Sequence, residues 1–262
     1  MRNDTGSAAQ PPLRPSIDGT IEFTARARVR PFKGDDAWRE VAVDEEFAIA
    51  DTALLLCDVW DEHWCAGATG RVDAMAPRME HVAATLRQRG VQIIHAPSGT
   101  TEFYAETPQR LRMTSAPAIE PPEPLDLSDP SLPIDDSDGG CDTPGCEPHQ
   151  AWSRQHAAIE IAEHDGISDD GREVYNLFAQ LGIANLLIMG VHTNMCVLGR
   201  SFGIRQMTRW GIRVALVRDL TDAMYNPAMA PHVSHNEGTE LVVQHIEKYW
   251  CPTVLSSDLL ND

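Results

Sequence analysis

Residues 190–197 read GVHTNMCV and follow directly on the apolar run NLLIM of residues 185–189. An apolar run this short, closed by glycine, has the length and composition of a buried strand. The small polar residues after it form a turn, and Cys196 stands where the next helix begins. A helix N-terminus supplies free backbone N–H groups and a partial positive charge, which favour a thiolate. A cysteine kept only for packing needs neither. The placement marks Cys196 as a candidate nucleophile.

The same grammar continues on both sides. TALLLCDVW (52–60) is a buried strand running into Asp58, MAPRMEHVAATLRQRG (75–90) has helical spacing, and VQIIHAPS (91–98) is a second strand containing His95. Further on, AAIEIAE (157–163) is expected as a strand and GREVYNLFAQLG (171–182) as a helix. IANLLIMGV (183–191) is a strand, CVLGRSFGIRQMTRWG (196–211) a helix, IRVALVRDLTDA (212–223) a strand and TELVVQHIEKYW (239–250) a helix. Strands alternating with helices predict an α/β fold on a mainly parallel sheet. Its domain spans residues 51–262. Residues 1–18 are expected to be a disordered tail. TIEFTARARVRPF (20–32) and WREVAVDEEFAIA (38–50) are expected as a hairpin or short strands, an N-terminal β extension over residues 19–50. Residues 97–156 are rich in Pro and Asp with little periodicity. So long a segment after a strand's carboxyl end is expected as a lid over the site.

A formal charge of −18 excludes nucleic acid as a partner, because phosphate binding needs clustered Lys and Arg. The expected partner is a small-molecule substrate. No apolar run reaches the roughly 18 residues of a membrane span. The start, MRNDTGSAAQPPLRPS, has no apolar signal region, so the expected location is cytoplasmic. Cys57, Cys65 and Cys251 lie beside apolar residues and are expected as reduced core thiols. Cys141 and Cys146 are near enough in sequence for a local disulfide. With His149 they make half of a metal site, but no second pair stands at zinc spacing.

Two stretches, ALLLCDVWDEHW (53–64) and LGIANLLIMGVHTNMCVLGRSFGIRQMTRWGIRVALVRDLTDA (181–223), resemble the isochorismatase-like cysteine hydrolases. The second carries the family's Gly-x-x-Thr-x-x-Cys-Val nucleophile turn. The resemblance covers roughly residues 50 to 250. It implies a Rossmann-like three-layer α/β/α fold, a homo-oligomer, Asp58 as catalytic aspartate and Cys196 as nucleophile. It also implies an oxyanion hole from the backbone N–H groups of His192 and Cys196, with a cis peptide at Val191–His192. The apolar stretch LGRSFGIRQM (198–207) is the candidate oligomer contact. Nicotinamidase-like members carry an Asp-x-His metal cluster after the second strand. HAPSGTTEFY (95–104) lacks it, so no metal or cofactor is expected.

The family's third catalytic residue, a lysine, has no counterpart, since no lysine lies between Lys33 and Lys248. Ungapped alignment puts Glu163 there, and a shifted register His164 or Asp165. Two carboxylates beside Cys196 would raise its pKa. The compensating cation is then His63, His192 or a charged substrate. Trp60, His63, Trp64 and His95 are the expected pocket residues, and Asp219 a structural one. The expected activity is hydrolysis of a C–N bond in a small amide, carbamoyl or ureido compound. An isochorismatase-type ether hydrolase and a non-catalytic binding protein are the alternatives.

Overall fold

The structure is a computed structural model that describes residues 12–34 and 36–260. Its strands and helices, in chain order, begin with β1 (Thr20–Val29), β2 (Arg39–Ala48), β3 (Thr52–Cys57), α1 (Ala66–Arg89) and β4 (Gln92–Ala96). There follow α2 (Pro108–Thr114), β5 (Gly166–Ile167), α3 (Gly171–Leu181), β6 (Asn185–Val191) and α4 (Ile204–Arg209). The chain closes with β7 (Arg213–Asp222), α5 (His235–Tyr249) and β8 (Thr253–Val254). The eight strands form one sheet in the order β2-β1-β8-β7-β6-β3-β4-β5. All pairs from β8 to β5 are parallel, and β1 is antiparallel to both its neighbours.

The central strands are apolar on both faces because both faces are covered. Along β3, Ala53 and Leu55 pack with α3, α4 and α5, through Leu177, Met207 and Ile246 among others. Leu54 and Leu56 point the other way, into the layer of α1 with Met79, Val82 and Leu86. The α/β three-layer arrangement expected from the sequence is therefore present. No helix among the described residues is long and apolar enough to cross a membrane.

The hairpin is a continuous part of the sheet rather than an appendage. A buried ion pair fixes it. Glu247 of α5 has a fully buried carboxylate that accepts from Arg26 Nε (2.6 Å) and Arg28 Nε (3.0 Å) of β1. Thr253 Oγ1 of β8 donates to the same group at 2.7 Å.

Several expectations are corrected. The described part of the expected tail, residues 12–18, is tied down by Arg14, which donates to the carbonyls of Gly90 (2.6 Å) and Ala50 (2.5 Å). The rest of that tail, residues 1–11, lies outside the described residues. Residues 157–163 form no strand. Side chains rather than a neighbouring strand take the carbonyls that follow: Arg112 takes those of Glu163 and Asp165, and Gln92 takes that of His164. Pairing with β4 begins only at Gly166. The helix expected over 196–211 is broken, with a wide turn at Thr193–Val197 and regular helix resuming at Ile204. Gly203 lies so close to that turn that a Cβ there would stand 2.7 Å from the Val197 carbonyl oxygen. The break lets Phe202 bury completely, together with Leu198, Ile204 and Met207. Those apolar side chains belong to the core.

Asp219 has the structural role expected of it, accepting from the amide (2.8 Å) and hydroxyl (2.6 Å) of Ser256. Removing Glu247 should cost more than removing any surface acid. Glu247→Leu should take the shared buried acceptor from Arg26 and Arg28, leaving each only its more exposed partner, Glu240 and Glu40, and lower stability by about 2–4 kcal/mol. A urea midpoint unchanged from wild type would contradict that role.

Candidate active site

β3, β4 and β6 end level with one another, Cys57 opposite both Ala96 and Gly190. Whatever follows these three strands meets at one edge of the sheet. Asp58 follows β3 with a left-handed backbone (φ 48°), a conformation costing a non-glycine residue about 1–3 kcal/mol. Its amide donates to the Ala96 carbonyl at 3.0 Å. After β4, the Ser98 amide donates to Asp58 Oδ1 at 2.7 Å.

The turn after β6 comes close because Gly190 has no side chain. A Cβ there would lie 2.0 Å from the Cys57 carbonyl oxygen, and φ is +120°. The Val191–His192 peptide is cis. Asn194 holds the turn from inside, its Oδ1 accepting from the Met224 amide (2.8 Å) and its Nδ2 donating to Asp136 (2.7 Å). Thr193 and Thr221 share a hydroxyl contact at 2.7 Å. Thr193 and Asn194 thus serve as struts for Cys196.

Arg200 is the residue that sequence reasoning missed. Its amide donates to the Cys196 carbonyl at 3.0 Å, one helical turn on, just where the helix breaks. The guanidinium Nε stands 3.5 Å from Asp58 Oδ2. Cys196 interacts directly with both groups. The signal is present in CVLGR, a cation four residues after the cysteine, whereas the family's lysine stands at the end of a strand.

Glu163 is not brought to this site. It is exposed at the amino end of β5, in a cleft with Arg14 and Gln92 at the opposite edge of the sheet. The register alternatives lie there too, Asp165 being bonded to Arg87 and His95, both at 2.9 Å. The residues of β5 that reach the site edge are those after Ile167: the Ser168 amide donates to the His95 carbonyl.

Asp58, Trp60, Glu62, His63, Val191 and His192 are among the residues lining a small cavity. Trp152, from the long segment after β4, stacks on Trp60 with ring centres 4.2 Å apart and planes 12° apart. It also lies parallel to His63 at 5.6 Å. His95 sits outside this lining. It is fully buried, with Nε2 on Asp165 and Nδ1 2.7 Å from Gln155 Nε2. Trp64 lies against His63 but packs with Cys65, Cys141 and Cys146.

Burial above all, and then the charge of Asp58, pushes the Cys196 thiol up to about 12, with Arg200 pulling the other way. Burial also raises Asp58 above the ordinary carboxylate range, although Cys196, Ser98 and Arg200 hold it down in part. Burial opposes the charge of Arg200, but Cys196 and Asp58 outweigh it and hold the guanidinium protonated. His63 falls to about 4 through burial and then repulsion from Arg71. His192 falls to about 3 through burial and then His63. Neither imidazole is the compensating cation expected from the sequence; that position belongs to Arg200.

These histidines give the fold a pH dependence of definite sign. In the unfolded chain both protonate below about pH 6.5. In the folded chain they do so only near 4 and 3. Between those limits the unfolded state holds more protons, so stability is lost as pH falls below about 6.5. NMR titration should find both rings uncharged at about pH 5.5, assignments being made with His63→Gln and His192→Gln. Titration of either ring near its free value of about 6.5 would contradict the burial described.

The family model for the isochorismatase domain matches residues 52–230. No curated protein matches the chain significantly. Among solved structures, a cysteine hydrolase from Pseudomonas syringae pv. phaseolicola is 13% identical over 81% of this chain and 92% of its own, with a TM-score of 0.51. A putative isochorismatase from Burkholderia xenovorans is 14% identical over 80% and 86% of the two chains, with a TM-score of 0.49. The match of the domain from β3 through the turn after β6 to residue 230 settles the assignment: this chain belongs to the isochorismatase family of hydrolases.

Proposed function

We propose that the protein is a cysteine hydrolase that cleaves the C–N bond of a small amide, carbamoyl or ureido compound, with Cys196 as nucleophile. One observation carries this reading. Asp58 Oδ2 is fully buried and takes no short hydrogen bond; it faces the Cys196 thiol and, at 3.5 Å, the Arg200 guanidinium. A buried carboxylate oxygen that meets only a thiol and a cation beyond hydrogen-bond contact is placed to take the thiol's proton during the reaction.

With the thiol raised to about 12, attack is concerted with proton transfer. Cys196 Sγ bonds to the carbonyl carbon while its proton passes to Asp58 Oδ2. The backbone N–H groups of His192 and Cys196 take the developing oxyanion, a contribution on the order of 3 kcal/mol. The C–N bond then breaks as Asp58 returns the proton to the leaving nitrogen, giving a thioester and ammonia or an amine. Water, deprotonated by Asp58, attacks the thioester, and the sulfur leaves and recovers its proton. Arg200 stabilises the thiolate and the carboxylate in turn. It does not itself deliver the proton, because a guanidinium does not deprotonate in proteins. The small cavity and the stacked Trp60 and Trp152 suit a small, flat substrate.

The test is a screen of small amides, carbamoyl compounds and ureas read by ammonia release, followed by variants on the best substrate. Cys196→Ala should abolish turnover, and Asp58→Asn should lower kcat by about 100-fold or more. Arg200→Lys should retain more activity than Arg200→Met, since a cation remains. Glu163→Gln should match wild type. Because the base must be ionised, kcat/KM should fall as pH drops through a pKa above the ordinary aspartate value. Substantial turnover by Cys196→Ala would remove the covalent route.

A further inference from the structure

Cys65, Cys141 and Cys146 converge beside the candidate site, their Sγ atoms all within 4.8 Å of one another. None is in a disulfide. Cys65 is buried at the start of α1, while Cys141 and Cys146 come from the segment covering the site. Gly145, with φ +80°, turns the chain so that Cys146 comes back toward Cys141.

The surroundings match a metal centre rather than a chance group of thiols. Asp142 Oδ1 stands 3.5 Å from Cys65 Sγ. Its other oxygen is held by Arg71 Nη1 at 2.7 Å and faces His235 Nδ1 at 3.5 Å. Ligating carboxylates are oriented in this way by outer partners. The Thr143 amide donates to Cys141 Sγ at 3.4 Å, a bond that favours a thiolate. Thr143 Oγ1 accepts from the Gly67 amide at 3.0 Å, fixing the loop on the first turn of α1. Met224 and Ala68 close the apolar side.

Zinc takes thiolates at about 2.3 Å in tetrahedral array, which puts neighbouring sulfurs roughly 3.8 Å apart. A modest contraction of the three thiols reaches that geometry. We infer that Cys65, Cys141 and Cys146 bind one zinc(II) ion, with the Asp142 carboxylate as fourth ligand. Binding releases the three thiol protons, and the ion clamps the covering segment to the start of α1. With every position filled by protein, the centre is structural, one shell away from His63 and the cavity.

The experiment uses the full chain, purified under reducing conditions and freed of metal by a chelator. Cobalt(II), added as a probe, should bind one per chain with thiolate-to-metal charge-transfer bands and the intense visible bands of a tetrahedral site. Zinc(II) should displace it and raise the Tm. Cys141→Ser and Cys146→Ser should each lose the charge-transfer bands and the Tm gain. Cys251→Ala, a buried thiol outside the cluster, should retain both, and circular dichroism checks that each variant is folded. Asp142→Asn should bind cobalt at least about 10-fold more weakly. The site is refuted if no charge transfer appears or if the bands survive both serine variants. Unchanged cobalt affinity in Asp142→Asn would overturn the assignment of the fourth ligand.

Discussion

The structure turns on a carboxylate kept out of water beside a thiol. An isolated buried charge costs several kcal/mol, and a neighbouring thiolate would add repulsion. The fold offsets this with one backbone donor, Ser98 N–H, and one cation, Arg200. Each comes from a different element, so Asp58 needs the ends of β3 and β4 and the turn after β6 to be level. That requirement accounts for Gly190, the only residue type that fits so near the Cys57 carbonyl. It also accounts for the buried struts Thr193 and Asn194, which keep the turn from relaxing.

The covering segment completes the electrostatics rather than merely hiding the site. Trp152 on Trp60 and His63 excludes water from one side of the cavity. Low local dielectric strengthens every charge interaction within it. It also discharges His63 and His192, which leaves Arg200 as the cation of the Asp58–Cys196 pair. An exposed arginine would be screened by solvent. This one is itself partly exposed, but the two groups it bears on, Asp58 and Cys196, are largely shielded from solvent.

Much of this was legible in the sequence because it is written in local patterns. Buried strands ending in Asp58 and in Gly190, helices ending at Gly90 and Gly182, and the turn before Cys196 all follow from short-range rules. The errors share one cause, which is contact between distant parts of the chain. AAIEIAE reads as a strand, but Arg112 and Gln92 take the carbonyls just beyond it, so pairing starts late and Glu163 stays at the far edge. Residues 196–211 have unbroken helical spacing. The break follows from the close approach of Gly203 to the turn and from the burial of Phe202. Arg200 acquires its role at that break, which no periodicity marks. Cys141 and Cys146 read as half a cluster in the sequence because the third thiol, Cys65, comes from a distant part of the chain.

The central claim is that Asp58 and Arg200 act on the Cys196 thiol with opposite sign. The pH dependence of Cys196 alkylation by iodoacetamide, followed by mass spectrometry of the Cys196 peptide, tests this directly. Wild type should react as a thiol with a pKa far above the free value of about 8.5. Asp58→Asn should lower that pKa by removing a negative charge, and Arg200→Met should raise it further. A shift in the same direction in both variants, or none in either, would contradict the account.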